Sequence, residues 1–303
     1  MTQIVPLLWE LQAMYGSLDR EGFVKTSLPG VRLFWATKPI KRVPLFVEAG
    51  IVIIFQGHNI GYLDNRAFRY DSNNYLVLTM PIVFECETHA SPDKPLLGLF
   101  IDLDKPVLHE LVALVGKHRV LPQLETSLGL RAVEPVALDR GMAEAAERLL
   151  SCLRSPLDSD VLGPSLVREI IYRALLGQHG YALYALTQDN CHCARIAKAL
   201  ARIHREYTKP LTVESLALEA RMSVSAFHRA FKQITGSSPL QYLKKMRLNK
   251  AKNLIAHGGI RVGEAAYEVG YESVSQFSRE FKRYFKVPPK EAKNIQYTYI
   301  SAI

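Results

Sequence analysis

The chain has 303 residues, of which 48% are hydrophobic, enough for about two ordinary domains with cores of their own and too apolar for a disordered polymer. Its net charge of +9 is unevenly spread: residues 191–303 carry 20 Lys and Arg against 8 acidic residues, a net of +12, whereas residues 1–190 carry 18 against 21, a net of −3. No apolar run approaches the ~18 residues of a membrane helix, residues 1–10 lack the features of a secretory signal, and Cys86, Cys152, Cys191 and Cys193 make no disulfide framework, so the reading is a cytoplasmic protein.

In chain order, residues 31–103 show short apolar runs separated by turn residues. The strands expected are 31–36, 45–47, 51–56, 68–70, 75–80, 82–87 and 96–103, with turn chemistry at 71–74 and 91–95. That spacing predicts an all-β sandwich or barrel.

Beyond Pro106 the period becomes helical. Amphipathic helices are expected at 107–117, 136–153 and 164–178, with a loop at 155–163 and an interdomain connection over 178–190. Their apolar faces could dock on the barrel or pair with a second subunit, and dimerisation is the favoured reading. Cys191-His192-Cys193 offers no second ligand pair nearby for a structural zinc site, so it reads as small residues opening a helix, with redox or metal sensing as alternatives.

The basic third contains a repeat. Ser223-Val-Ser-Ala-Phe-His-Arg-Ala-Phe-Lys232 recurs as Ser273-Val-Ser-Gln-Phe-Ser-Arg-Glu-Phe-Lys282, with seven of ten positions identical. Each copy opens on a Ser able to cap a helix and continues without Gly or Pro. A helical period puts Phe227, Ala230, Phe231 and Ile234 on one face, with Ser225, His228, Arg229 and Lys232 opposite. In the second copy Phe277, Phe281 and Phe285 turn inward, and Ser275, Gln276, Arg279 and Lys282 outward.

Short apolar helices are expected before each copy, at 213–219 after Thr212 and at 262–269. Gly270 suits a turn that needs positive φ. Helix, turn, helix with a polar second face is the pattern whose second helix enters the major groove, and the basic charge suits a polyanion partner. A connecting helix from Pro239 to the Gly258-Gly259 stop, with Leu240, Leu243, Met246 or Arg247, Ala251, Leu254 and Ile255 as its buried stripe, spans roughly 28 Å at about 1.5 Å per residue. That is close to the ~34 Å between successive major grooves.

These residues resemble the DNA-binding domain of the AraC/XylS family. The likeness runs over residues 193–293 and includes the Gly236-Ser-Ser-Pro239 boundary, Arg247, Ala251, Gly270-Tyr271 and Phe281-Lys282. The chain departs from the family at Lys286-Val287-Pro288-Pro289, where Gly-x-Ser-Pro is common, and at Glu291-Ala292-Lys293, where a Tyr-Arg pair is frequent. Carried over by position, the resemblance places Ser225, His228, Arg229, Ser275, Gln276 and Arg279 at base edges. Arg can bond guanine and Gln adenine bidentately, while Lys232 and Lys282 suit phosphate.

More weakly, the N-terminal half resembles the family's cupin-like arm, which implies a barrel that binds a small effector and adjoining helices that dimerise. Trp35, Phe55, His58, Tyr62, Tyr75, Phe84 and Cys86 are the candidate ligand contacts, each of which could equally be core or surface. Metal-binding cupins need clustered His ligands and a carboxylate; this segment has only His58 and the sequence-distant His89, so neither metal nor cofactor is expected.

The expected fold class is therefore α+β and two-domain: a cupin-like β-barrel with flanking helices, then an all-α domain with two helix-turn-helix units. The boundaries are 1–180 for sensing and dimerisation, 181–192 for the linker and 193–303 for DNA binding. The expected function is a transcription regulator, not an enzyme, with double-stranded DNA, RNA polymerase, a small effector and a second copy as partners, and no membrane. A DNA-binding protein with an unresponsive interaction arm is one alternative. The other is a DNA-repair alkyl transferase carrying this module, which would need a reactive Cys; Cys86, between Glu85 and Glu87, suits that poorly.

Overall fold

The structure is a computed structural model that describes residues 4–16, 22–63, 66–118, 132–188, 191–256 and 258–294. After helix α1 (Ile4–Tyr15) come strands β1 (Gly22–Lys25), β2 (Val31–Ala36), β3 (Ile40–Val47), β4 (Gly50–Gln56), β5 (His58–Leu63), β6 (Arg66–Asp71), β7 (Asn74–Leu78), β8 (Ile82–His89) and β9 (Leu96–Asp102). Helix α2 (Lys105–Gly116) and strand β10 (Val133–Ala137) follow, then α3 (Arg140–Cys152), α4 (Pro156–Val161), α5 (Gly163–Leu176) and α6 (Gly180–Leu186).

The strands form two antiparallel sheets, ordered β1-β2-β9-β4-β7-β10 and β3-β8-β5-β6. They face each other as an open, cupin-like sandwich, with no ladder among the described residues closing the barrel. The first sheet is buried on both sides. Along β2, side-chain alternation turns Phe34 and Ala36 toward the second sheet, and Val31, Leu33 and Trp35 toward a helix layer formed by α1, α2, α3 and α5.

Several sequence expectations are corrected. The helix expected over 136–153 begins only at Arg140, where Asp139 caps it through Met142 N at 2.7 Å; Val136 belongs to β10, paired with β7. The 155–163 loop contains α4, and the expected linker at 181–192 is helical through α6, residues 189 and 190 lying outside those described. The apolar faces assigned to dimerisation, including Leu108 and Leu111 of α2, Leu149 of α3 and Ile170 of α5, are buried within this chain in the helix layer.

The C-terminal half is helical: α7 (His192–Glu206), α8 (Val213–Glu219), α9 (Val224–Thr235), α10 (Pro239–Ala256), α11 (Val262–Glu268) and α12 (Val274–Phe285), closed by a 3-10 turn at Pro289–Asn294. The second helix-turn-helix has a core of its own, whereas the core of the first is continuous with the inner face of the sandwich. Phe227, Phe231, Leu216 and Leu200 fill the first, and Phe277, Phe281, Ala265 and Val269 the second, with α10 between them. In α10, Leu243, Met246, Ala251 and Ile255 are buried as expected, but Leu240 is exposed because it lies in the first turn, outside both cores.

The halves meet where α10 and α12 lie against β3 and β8. The His204 ring packs 5.3 Å from Phe46, and Tyr242 donates its hydroxyl to Pro81 O at 2.9 Å. No helix among the described residues is long and apolar enough to cross a membrane.

Candidate nucleic-acid interface and effector cavity

The recognition faces follow from capping and packing. Ser223 Oγ accepts from Ala226 N, and Ser273 Oγ from Gln276 N, fixing the first turns of α9 and α12. Burial of Phe227, Ala230, Phe231 and Ile234 then turns Ser225, His228, Arg229 and Lys232 to solvent, and burial of Phe277, Phe281 and Phe285 does the same for Ser275, Gln276, Arg279 and Lys282. All eight expected residues are exposed. Among the described residues no carboxylate pairs with Arg229, Lys232, Arg279 or Lys282, whereas in the N-terminal half Arg66, Arg148, Arg154, Arg168 and Arg173 are all bridged to Glu. Charges left without an internal partner are available for phosphates.

Three features of this surface were not legible in the sequence. The turns are equivalent, because Met222 N and Tyr271 N bond Ala217 O and Ala266 O; thus Arg221, at φ 51°, occupies the left-handed position that Gly270 takes at φ 86°. Arg247 donates to three backbone carbonyls, Tyr207 O at 2.6 Å, Lys209 O at 2.9 Å and Gly270 O at 3.0 Å, tying α10 to the loop after α7 and to the second turn. Glu280 on α12 receives bonds from Tyr271, Lys244 and Gln276.

In the N-terminal half, the space between the sheets is lined by Phe23, Phe34, Leu45, Val47, Val52, Leu76, Leu78 and Phe84, with Asn59 and Tyr70 as its polar groups. Its volume is about 20 Å³, room for about one water molecule, so any larger guest requires the sheets to part. Of the residues expected at an effector site, only Phe84 lines this space. Trp35, Tyr75 and Phe55 face the helix layer. Cys86 is buried behind Tyr70, whose hydroxyl lies 3.3 Å from its sulfur. Tyr62 donates to Glu87 on the outer face of the second sheet, where His58 stacks on His89 with ring centroids 4.4 Å apart.

His58 and His89 are thus cross-strand partners despite their sequence distance. Among the described residues no group of three or more His, Cys, Asp or Glu could hold a metal ion. Burial, with a small contribution from Glu87, pushes the Cys86 thiol up to about 12; the flanking carboxylates matter less than the sequence suggested. Cys191 caps α7, accepting from Ala194 N and donating to Ala185 O.

Residues 27–182 match the family model for the N-terminus of AraC-type transcriptional regulators, and residues 216–294 match a helix-turn-helix domain model. The chain belongs to the AraC-type regulators. Among curated relatives it is similar to the HTH-type transcriptional regulator AlkR of Acinetobacter baylyi, 42% identical over 95 residues, which are 31% of each chain. It is also similar to the transcriptional activator RhaS of Escherichia fergusonii, 27% identical over 183 residues covering 59% of this chain and 63% of RhaS. The similarity therefore spans about a third of AlkR and under two thirds of RhaS. The fold resembles that of Vibrio cholerae ToxT at a TM-score of 0.61 and 13% identity, over 88% of this chain and 98% of ToxT.

Proposed function

We propose that this AraC-type protein is a sequence-specific DNA-binding transcription regulator acting in the cytoplasm. The carrying observation is that one chain presents two capped recognition helices whose exposed faces, at Arg229, Lys232, Arg279 and Lys282, have no internal counter-charge among the described residues. In this reading Ser225, His228, Arg229, Ser275, Gln276 and Arg279 contact bases, and Lys232 and Lys282 contact phosphate. The sandwich is the sensor: a small, largely apolar effector enters between the sheets against Phe34 and Phe84, with Asn59 and Tyr70 supplying hydrogen bonds. A second copy of the chain and RNA polymerase complete the assembly at the promoter. The repair-enzyme alternative is disfavoured by the buried, protonated thiol of Cys86.

The test is fluorescence anisotropy of the full-length protein with a fragment of its neighbouring promoter DNA and a scrambled duplex, at physiological salt, with and without cell extract. Tighter binding to the promoter fragment supports the reading; equal binding in both conditions overturns it. A thermal-shift screen of the full chain against metabolites separates a sensor from an unresponsive interaction arm.

A further inference from the structure

Two of the three positions at which the recognition helices differ within the repeat lie on one face, one turn apart. Gln276 and Glu280 of α12 stand one turn apart, where α9 has Ala226 and Ala230. The Glu280 carboxylate is largely buried and triply engaged. Its Oε2 accepts from the Tyr271 hydroxyl at 2.8 Å, and its Oε1 from Lys244 Nζ at 3.1 Å and Gln276 Nε2 at 3.3 Å. Burial alone would raise its pKa, but the bonds from Tyr271, Lys244 and Gln276 and the charge of Lys244 hold it below the usual carboxylate range. It is therefore an ionised group that can only accept.

This has a consequence for Gln276. A glutamine amide has one acceptor and two N–H donors, and left free it can turn over, offering either end. An acceptor-only neighbour removes that freedom: the NH2 end must face Glu280, and one of its hydrogens is committed there. What remains for the groove is one carbonyl oxygen and one N–H side by side. Adenine presents a matching donor and acceptor at N6 and N7, whereas guanine presents two acceptors, O6 and N7, and needs both amide hydrogens. We infer that Glu280 is a positioning residue for Gln276, through which the second recognition helix accepts adenine and refuses guanine at the base Gln276 reads.

The inference rests on α12 being a base-reading helix. The first unit, with alanines at both positions, has no such device. The two halves of one operator therefore differ in kind: the second carries an adenine position set by a fixed amide.

The test is selection of bound sequences from a randomised duplex library by the full-length protein, compared among the parent, Gln276→Ala, Glu280→Ala and Glu280→Gln. In the parent, one position of the second half-site should favour adenine over guanine by roughly 5- to 100-fold, the range a good bidentate pair supplies. Gln276→Ala should erase that preference. Both Glu280 variants should keep Gln276 at the base yet bring the adenine-to-guanine ratio to within a few-fold, with preferences in the first half-site unchanged. Gln276→Ala with no change at any position removes the base-reading role itself. Loss of preference in Gln276→Ala together with an unaltered ratio in both Glu280 variants leaves that role standing and overturns the positioning inference. So does a uniform decline at all positions in both Glu280 variants, the mark of a merely structural residue.

Discussion

Lys286 holds a left-handed backbone, φ 65°, at the end of α12, where the equivalent residue closing α9 is Gly236 at φ 69°. A side chain there meets its own carbonyl, a strain that glycine lacks. Lys286→Gly should therefore stabilise the protein by about 0.5–1 kcal/mol, less than the full strain because glycine also frees the unfolded chain. Urea denaturation measures it, and a loss of stability would show the strain to be absent. At Gly270 the direction reverses: a Cβ would lie 2.4 Å from Thr208 O, so Gly270→Ala should cost about 2 kcal/mol or more. On the recognition face, Arg229→Ala should weaken cognate binding by about 1–3 kcal/mol and relax one base position, whereas Lys232→Ala should weaken all sequences alike and flatten the salt dependence. Equal losses for Arg229→Ala on cognate and random DNA would confine Arg229 to phosphate. The exposure of all eight recognition residues was legible because each helix buries a single phenylalanine stripe. The effector residues were not, because the first sheet is buried on both faces and alternation alone leaves open which face looks inward.

At the scale of elements, what the sequence shows depends on how well polarity reports burial. Strand β2 and helix α8 lie at the residues expected, since apolar runs and a Thr212 cap mark them. Strand β5 escaped notice because its inward residues are Asn59 and Gly61. Asn59 is buried but satisfied, donating to Tyr70 and accepting from Thr88, and any side chain at Gly61 would collide with Phe68, 2.2 Å from a Cβ. The same limit hid the role of Arg247, whose place in a helical stripe suggested packing. Its three carbonyl bonds hold α10 to the second helix-turn-helix turn, and a planar fork is needed to reach all three. Arg247→Lys should therefore lose about 1–3 kcal/mol of stability despite keeping the charge, and should weaken DNA binding as the second reading helix loosens. Denaturation and anisotropy on the same preparation check both; an unchanged midpoint would mean the carbonyls are satisfied without the fork.

Across the whole molecule, the sandwich and the helical half are joined by a part-buried chain of polar groups that neither half contains alone. His204 Nε2 lies 2.9 Å from the Tyr242 hydroxyl, which donates to Pro81 O of the sandwich, so Tyr242 accepts from His204, whose Nε2 carries a proton. Tyr242 sits on α10, the helix between the two helix-turn-helix units, so these bonds hold both units against the sandwich. Burial, reinforced by the charge of Lys250, lowers the His204 pKa to about 3, against about 6.5 for a free imidazole. Between those values the unfolded chain binds the proton that the folded one refuses. The stability His204 contributes is complete above about pH 6.5 and drains away as the pH falls toward 3, by up to a few kcal/mol. Unfolding free energy measured from pH 7.5 to 4.5 should therefore fall more steeply in the parent than in His204→Gln, which keeps a donor for Tyr242 but cannot titrate. Matching slopes would place His204 outside the buried junction. A steeper parent slope would also predict that mild acid loosens the helical half from the sandwich before either unfolds, visible as earlier proteolysis between α6 and α7, because the second proton, taken up at Nδ1 while Nε2–H stays on Tyr242, places a charge in the junction beside Phe46 and within the field of Lys250.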